Sequence, residues 1–419
     1  MHLDFQYKEG TSNTCDKVIC CRAINGFPSD TNIQSGQYGE YKCDSPIKLL
    51  TSMADYINNV VQPDVIIWTG DSVPHSESMG IGFEEKKSYF QWINQFLKSN
   101  FTNIPLYPTI GNHDYSKTNF EDFTRQEPLF QYLQTDWSYW LDASAMALFK
   151  QKGYYKQVLK LKGGRTFSNI YIIGLNTEVC YFYNFYLFSQ RNDPGDLLNW
   201  LDITLTDLEA NYKIAILIGH IPPNGMDCNN GWSSRYKAIT DRFQHIIRFS
   251  AYGHSHKEWH NNARAVISAK PIGVQYQTGS ITPLKNNNPS FRVYEVDDQY
   301  FVPLKVHTYS MDISAANPQW AYDHELKQHY SLTNLSPSSF DDLSVRILNT
   351  ESLGLKYTQT QSSQALAQLI TSCDIICRFL IYCQIRQNTF YDYLSCLGIN
   401  KSQVIFGQVE FLFDPWFQF

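Results

Sequence analysis

Four short polar tips each follow a run of β-favouring apolar residues. Gly70-Asp71 follows 65–68, and Gly111-Asn112-His113-Asp114 follows 104–110. Gly219-His220 follows 214–218, and Gly253-His254-Ser255-His256 follows 249–252. Strand plus polar tip, repeated along one chain, constrains the fold to an α/β core that offers side chains at the carboxyl ends of its strands. Asp, Asn and neutral His suit first-row divalent ions. A close pair of such ions is a device for attacking phosphate esters, so the tips read as the ligand loops of a two-metal phosphoesterase.

Between the tips the period changes. Ser45 is expected to cap a helix with Pro46 in its first turn, and Ile47, Leu50, Ala54, Ile57 and Val61 share one face. The stretches 89–98 and 197–211 are also helical in pattern, and 170–175 is a further strand ending at Asn176-Thr177. Strand–helix alternation predicts a largely parallel, layered sheet flanked by helices. After about Val306 the composition shifts, and 320–330 and 361–386 look helical. The expected organisation is a catalytic domain over 1–306 and a mostly helical, disulfide-bearing subdomain over 307–419.

The net charge of −6, without a Lys/Arg block, argues against a nucleic-acid partner. No stretch is apolar enough to span a bilayer, since 172–188 is broken by Asn176, Glu178 and Asn184. The even set of ten cysteines lacks paired Cys-x2-Cys knuckles and fits an oxidised, secreted or lysosomal protein. Sequons at Asn100, Asn334 and Asn400 agree with that compartment. The chain opens at Met1-His2-Leu3-Asp4 without a basic and apolar lead, so it is expected to lack its natural N-terminus. A monomer is expected.

Taken singly, each tip has a plainer reading. Asp71 also suits a turn-stabilising carboxylate, Gly111-Asn112 is an ordinary turn dipeptide, and a lone His220 is more often structural. Gly253 permits the backbone turn that lets His254 and His256 face one point. Together, in this order and all at strand ends, they form a specific pattern that resembles the calcineurin-like metallophosphoesterases.

A closer resemblance is to the acid sphingomyelinase and acid sphingomyelinase-like phosphodiesterase family, over nearly the whole chain. It is carried by Cys15-Asp16-Lys17-Val18-Ile19-Cys20-Cys21, Gly39-Glu40-Tyr41-Lys42-Cys43-Asp44 and Trp68-Thr69-Gly70-Asp71 with His75. Gly219-His220-Ile221-Pro222-Pro223, Asn288-Pro289-Ser290-Phe291-Arg292-Val293-Tyr294 and the last four cysteines carry it further. The resemblance implies two zinc ions. His2, Asp71 and His256 would serve one; Asp71, Asn112, His220 and His254 would serve the other. It places His75 and His113 beside the scissile phosphate as proton donors to the leaving group. It also implies the pairings Cys15–Cys20, Cys21–Cys43, Cys180–Cys228, Cys373–Cys377 and Cys383–Cys396.

The implied activity is hydrolysis of sphingomyelin, at a membrane or micelle surface, to ceramide and phosphocholine by metal-activated water. Two rivals stand beside it. One is the same chemistry on nucleotides or other soluble phosphodiesters, and Asn112-His113-Asp114-Tyr115 looks more like that branch. The other is a metal-poor, inactive lipid-binding homologue. Family members begin this domain with Asp-x-His; here His2 is kept and the Asp would fall just before Met1, which predicts a weakened first ion site. An exposed aromatic patch around 181–188 would favour the lipid substrate, and basic residues there the soluble one.

Overall fold

The computed structural model describes residues 1–75, 81–190, 192–223, 227–365 and 369–399. Eleven strands lie among them: β1 (Ile66–Trp68), β2 (Leu106–Pro108), β3 (Tyr155–Lys160), β4 (Thr166–Gly174), β5 (Ile214–Ile218), β6 (Ile247–Tyr252), β7 (Trp259–Arg264), β8 (Pro271–Gln277), β9 (Ser290–Val296), β10 (Pro303–Met311) and β11 (Trp320–Glu325). The largest sheet has the order β3-β4-β5-β6-β8-β7. Its inner strands run parallel, and β3 and β7 close the edges antiparallel. Parallel neighbours need crossovers: the helix Leu197–Ala210 links β4 to β5 and Asn230–Arg242 links β5 to β6, while β8 is reached from β6 through β7. β1 pairs in parallel with β2, and β9, β10 and β11 form an antiparallel meander.

Burial explains the strand sequences. All five residues of β5, Ile-Ala-Ile-Leu-Ile, are buried, as expected for an inner parallel strand covered on both faces. One cover is the helix Leu197–Ala210, whose Leu197, Leu201, Leu205 and Leu208 form a core with Leu217 and Trp232. The opposite core gathers Leu49, Leu50 and Phe90 with Ile216 and Phe249. The fold is the layered α/β arrangement expected, with helices after 337 packed on β7 and β8. β10 runs through Val306 and so joins the parts on either side of that residue.

Three local expectations differ. Trp320–Glu325 is a strand, not part of a helix, because Met311↔Trp320 through His307↔Glu325 pair as a ladder and bury Trp320 and His324. Only Leu326–His329 is helical there; tertiary pairing outweighs local propensity. The segment 361–386 is not one helix. Glu351–Gln361 ends at its start, and Ile375–Arg386 begins afresh, with the Asp374 side chain accepting from the Cys377 N–H. Ser45 is not a cap: Pro46 holds the N-cap position, and the Ser45 hydroxyl donates to the Met1 carbonyl at 2.7 Å.

Five disulfides join Cys15–Cys20, Cys21–Cys43, Cys180–Cys228, Cys373–Cys377 and Cys383–Cys396, the pairing the resemblance implies. No helix among the described residues is long and apolar enough to cross a membrane. Of the sequons, Asn334 is exposed and Asn100 half-buried, and Asn400 lies outside the described residues.

A buried polar cluster ties the meander to the large sheet. Glu258, just before β7, receives Arg292 of β9 at 2.6 Å, His324 of β11 at 2.9 Å and the Thr308 hydroxyl of β10 at 2.7 Å. Burial opposes ionisation of Glu258, but Arg292 and His324 outweigh it and hold the carboxyl well below its ordinary 4.5. Burial likewise opposes the charge on His324, yet Glu258 and Asp323 raise it from 6.5 to about 9. The depressed Glu258 contributes stability above its unfolded pKa and loses it as pH falls; the raised His324 contributes fully below 6.5 and loses it as pH rises through about 9. Both contributions are complete only between 4.5 and 6.5. Glu258→Gln leaves Arg292 buried without its counter-charge and should cost about 3–5 kcal/mol. Urea unfolding should show the gap between the two proteins widest near pH 5.5 and narrower near pH 3 and pH 9.5, all approximate settings. A pH-independent gap would contradict the assignment.

Candidate metal centre

The carboxyl ends of β1, β2, β5 and β6 converge, and the four polar tips meet there with the start of the chain. Asp71 sits at the middle. His2 Nε2 lies 3.1 Å and His220 Nε2 3.0 Å from the same Asp71 oxygen, Oδ2. His220 Nε2 is also 3.0 Å from Asn112 Oδ1, and His254 Nδ1 is 2.9 Å from it. Asn112 donates its amide to Asn119 Oδ1 at 2.8 Å, which fixes Asn112 Oδ1 as the inward atom. His256 Nε2 stands 3.1 Å from His2 Nε2. His2, Asp71, Asn112, His220 and His256 are buried, and His254 is partly so.

The other ring nitrogens decide what these contacts are. His2 Nδ1 lies 2.9 Å from the Val73 carbonyl and His220 Nδ1 2.6 Å from the Thr69 carbonyl. A carbonyl only accepts, so each Nδ1 carries a proton and each Nε2 is the atom turned to the carboxylate oxygen, the neutral His2 ring presenting a lone pair there. Lone pair against oxygen is repulsive unless a cation lies between. Burial, reinforced by His75, lowers His2 to about 3, so a second proton does not supply that cation at neutral or mildly acidic pH. Burial opposes ionisation of Asp71, but His220, His2 and His113 overcome it and keep the carboxyl well below its ordinary value. Histidines that donate one N–H to a carbonyl and aim the other nitrogen at a shared point are how proteins orient metal ligands. The residues present therefore fit divalent cations.

Backbone strain marks the same place. His2, Asp71, His254 and His256 have φ of 48°, 53°, 72° and 60°, a region non-glycine residues rarely enter. Gly111 is required by close approach, since a Cβ there would stand 2.1 Å from Asp71 Oδ1. Gly111→Ala should displace that carboxylate and weaken metal binding by about 10–100-fold with the fold retained, read by calorimetric zinc titration. Unchanged affinity would remove Asp71 from the site.

His75 and His113 lie beside this cluster. The His75 ring stacks on His2 with centroids 3.7 Å apart, and His113 is 4.3 Å from His75. His2, His75 and His256 also offer nitrogens that all fall within 4.8 Å of one another, so the geometry brings His75 closer to ligand position than its expected role demands. His75 Nδ1 lies 3.0 Å from the buried Asp44 carboxylate, which also takes the His75 N–H at 2.6 Å.

Two positioning residues were given no role from sequence. Asp44 is the last residue of the motif Gly39-Glu40-Tyr41-Lys42-Cys43-Asp44, which by itself points to no partner for it. Asp114 was read as the last letter of Gly-Asn-His-Asp. Its carboxylate accepts the N–H groups of Asp71 at 2.9 Å, Ser72 at 2.7 Å and Gly111 at 2.9 Å, clamping two ligand loops together. Further out, Tyr181 packs edge-on against His254 at 5.2 Å, and the turn Phe185–Phe188 exposes Phe185 and Phe188.

The sequence matches known families over most of its length. Residues 29–258 match the family model "Calcineurin-like phosphoesterase", and 270–403 match "Acid sphingomyelin phosphodiesterase C-terminal region". The chain belongs to the calcineurin-like phosphoesterase family, whose members imply divalent metal ions at such a centre. Sphingomyelin phosphodiesterase B of Dictyostelium discoideum is 28% identical over 98% of this chain and 66% of its own length. Sphingomyelin phosphodiesterase of Bos taurus is 29% identical over 83% of this chain and 57% of its own. Acid sphingomyelinase-like phosphodiesterase 3b of Homo sapiens is 26% identical over 95% of this chain and 88% of its own. The chain thus spans just under two thirds of the Dictyostelium relative and little over half of the bovine one.

Proposed function

We propose that the chain is a phosphoric diester hydrolase that splits sphingomyelin into ceramide and phosphocholine with two zinc ions. His2, Asp71 and His256 would hold one ion, and Asp71, Asn112, His220 and His254 the other. The observation that carries this is the convergence of two carbonyl-anchored imidazoles on one Asp71 oxygen, at 3.0 and 3.1 Å. Nitrogen and oxygen donors of this kind suit zinc. Bound ions would supply positive charge to the phosphate and an activated water.

The chain's own residues do the rest. Asp114 holds the Asp71 and Asn112 loops at fixed separation. Asp44 orients His75, whose Nε2 can deliver a proton to the ceramide oxygen as it leaves. The exposed Phe185 and Phe188 beside Tyr181 favour a lipid substrate over a soluble one. Five disulfides support a secreted or lysosomal setting.

One observation favours a second substrate class. Lys257 and Lys285 meet near the site, Lys257 Nζ lying 3.2 Å from the Lys285 carbonyl, and the Lys285 charge is felt by His75, His254 and His256. Cations there would serve nucleotides or other anionic diesters. Phosphocholine release from sphingomyelin micelles with zinc, beside hydrolysis of a nucleotide diester, separates the two. Lipid turnover well above nucleotide turnover is expected, and the reverse order would overturn the lipid assignment.

A further inference from the structure

The loop 115–127 and the 3-10 turn Thr177–Cys180, which follows β4, bring together a second group of buried acids. Glu121, Glu178 and Asn184 expose 4%, 2% and 1% of their surface. Asn176 joins the two segments. Its Oδ1 accepts the Tyr115 hydroxyl at 2.6 Å and the Glu178 N–H at 3.2 Å, and its amide donates to Glu121 Oε2 at 2.9 Å. Asn184 donates its own amide to the Glu121 carbonyl at 3.0 Å. Glu178 and Asn184 are thus both tied to Glu121, one through Asn176 and the other directly.

Three oxygens of this group stand out. Glu178 Oε1, Glu178 Oε2 and Asn184 Oδ1 have no hydrogen-bond partner among the described residues. A buried polar atom without a partner calls for an explanation, and a buried carboxylate without a counter-charge for a stronger one. The charges that Glu178 feels are Glu121, Asp71 and Glu127, all of its own sign, with Glu121 the largest. Burial raises the Glu178 carboxyl well above its ordinary 4.5 and pushes Glu121 up to about 8. Protonation removes the charge but not the mismatch. One proton on Glu178 can join two of the three oxygens, and the third stays unmet. A divalent cation meets all three and cancels the charge of both carboxylates.

We propose that Glu121, Glu178 and Asn184 hold a calcium ion at a site separate from the zinc centre. The donors are two carboxylates and an amide carbonyl, all oxygen, which suits a hard cation of flexible coordination. The zinc centre differs in being built largely on imidazoles. The ion would tie the loop that continues from Asn112-His113 to the turn whose Thr177 hydroxyl accepts the Ile221 N–H at 2.8 Å, next to His220. It would brace two zinc-ligand tips without touching substrate, so the proposal does not depend on the substrate assignment.

The test follows thermal unfolding of the full chain at saturating zinc, with and without calcium chloride on the order of 1 mM. Calcium should raise the wild-type Tm by about 3 °C or more. Glu178→Gln and Glu121→Gln should each lose that rise and keep the one that zinc induces. Glu127→Gln is the control. Its carboxylate accepts the Ser116 and Leu129 N–H groups at 2.9 and 3.3 Å, so the calcium response should survive its loss. Where neither Glu178→Gln nor Glu121→Gln folds, wild-type crystals soaked in terbium, a calcium surrogate, locate the ion by anomalous diffraction. A peak bonded to both Glu121 and Glu178 is expected. No calcium rise in the wild type, an equal rise in every variant, or a terbium peak away from these two residues would overturn the proposal. A proton or an ordered water would then be what meets these oxygens.

Discussion

Asp71→Ala is expected to lower hydrolysis by on the order of 10³-fold or more while leaving the circular dichroism spectrum unchanged. Asp71 Oδ2 is the one atom that both His2 Nε2 and His220 Nε2 approach, so its loss removes the group shared by both ion positions. Its Oδ1 accepts the His113 N–H at 3.0 Å, so the change also frees the loop that carries Asn112. The folding core is untouched, because the surrounding strands bury their apolar faces elsewhere. Two further readouts separate a metal role from a structural one. The variant should bind fewer zinc ions, and zinc should no longer raise its Tm, since a ligand stabilises only what it binds. Full activity, or an undiminished zinc-induced shift, would refute the bridging role.

His75→Ala should lower kcat by about 10²–10⁴-fold with metal content retained, the range lost with a general acid. The physical reason is the Asp44 contact. With Nδ1 held by a buried carboxylate, the ring is oriented and its Nε2 is the atom presented to substrate. Burial lowers the His75 pKa more than Asp44 raises it, so the protonated acid is favoured as pH falls. The wild-type rate should accordingly decline on the alkaline side, and that limb should vanish in the variant. Asp44→Asn should give a smaller loss with the same change of pH profile. Since His75 also lies within 4.8 Å of the His2 and His256 nitrogens, a fall in bound zinc in His75→Ala would make it a ligand instead.

The convergence of the tips was legible in the sequence because each lies at the end of an apolar run, and local pattern reports local position. Asp71, Asn112, His220, His254 and His256 are all of this kind. His2 is not: it precedes any strand and came from family resemblance alone. The bracing carboxylates were hidden for a different reason. Asp44 reaches His75 across 31 residues and Asp114 reaches Asp71 across 43, and no spacing rule reports such pairs. Elements failed where tertiary contacts decided them. Trp320–Glu325 became a strand because β10 offered an edge, and Ser45 served the Met1 carbonyl rather than its own helix.

Anomalous diffraction from zinc-soaked crystals tests the central claim most directly. Two peaks a few ångström apart are expected, both within bonding distance of the Asp71 carboxylate, one flanked by His2 and His256 and the other by Asn112, His220 and His254. Peaks that avoid Asp71, or none at saturating zinc, would contradict it.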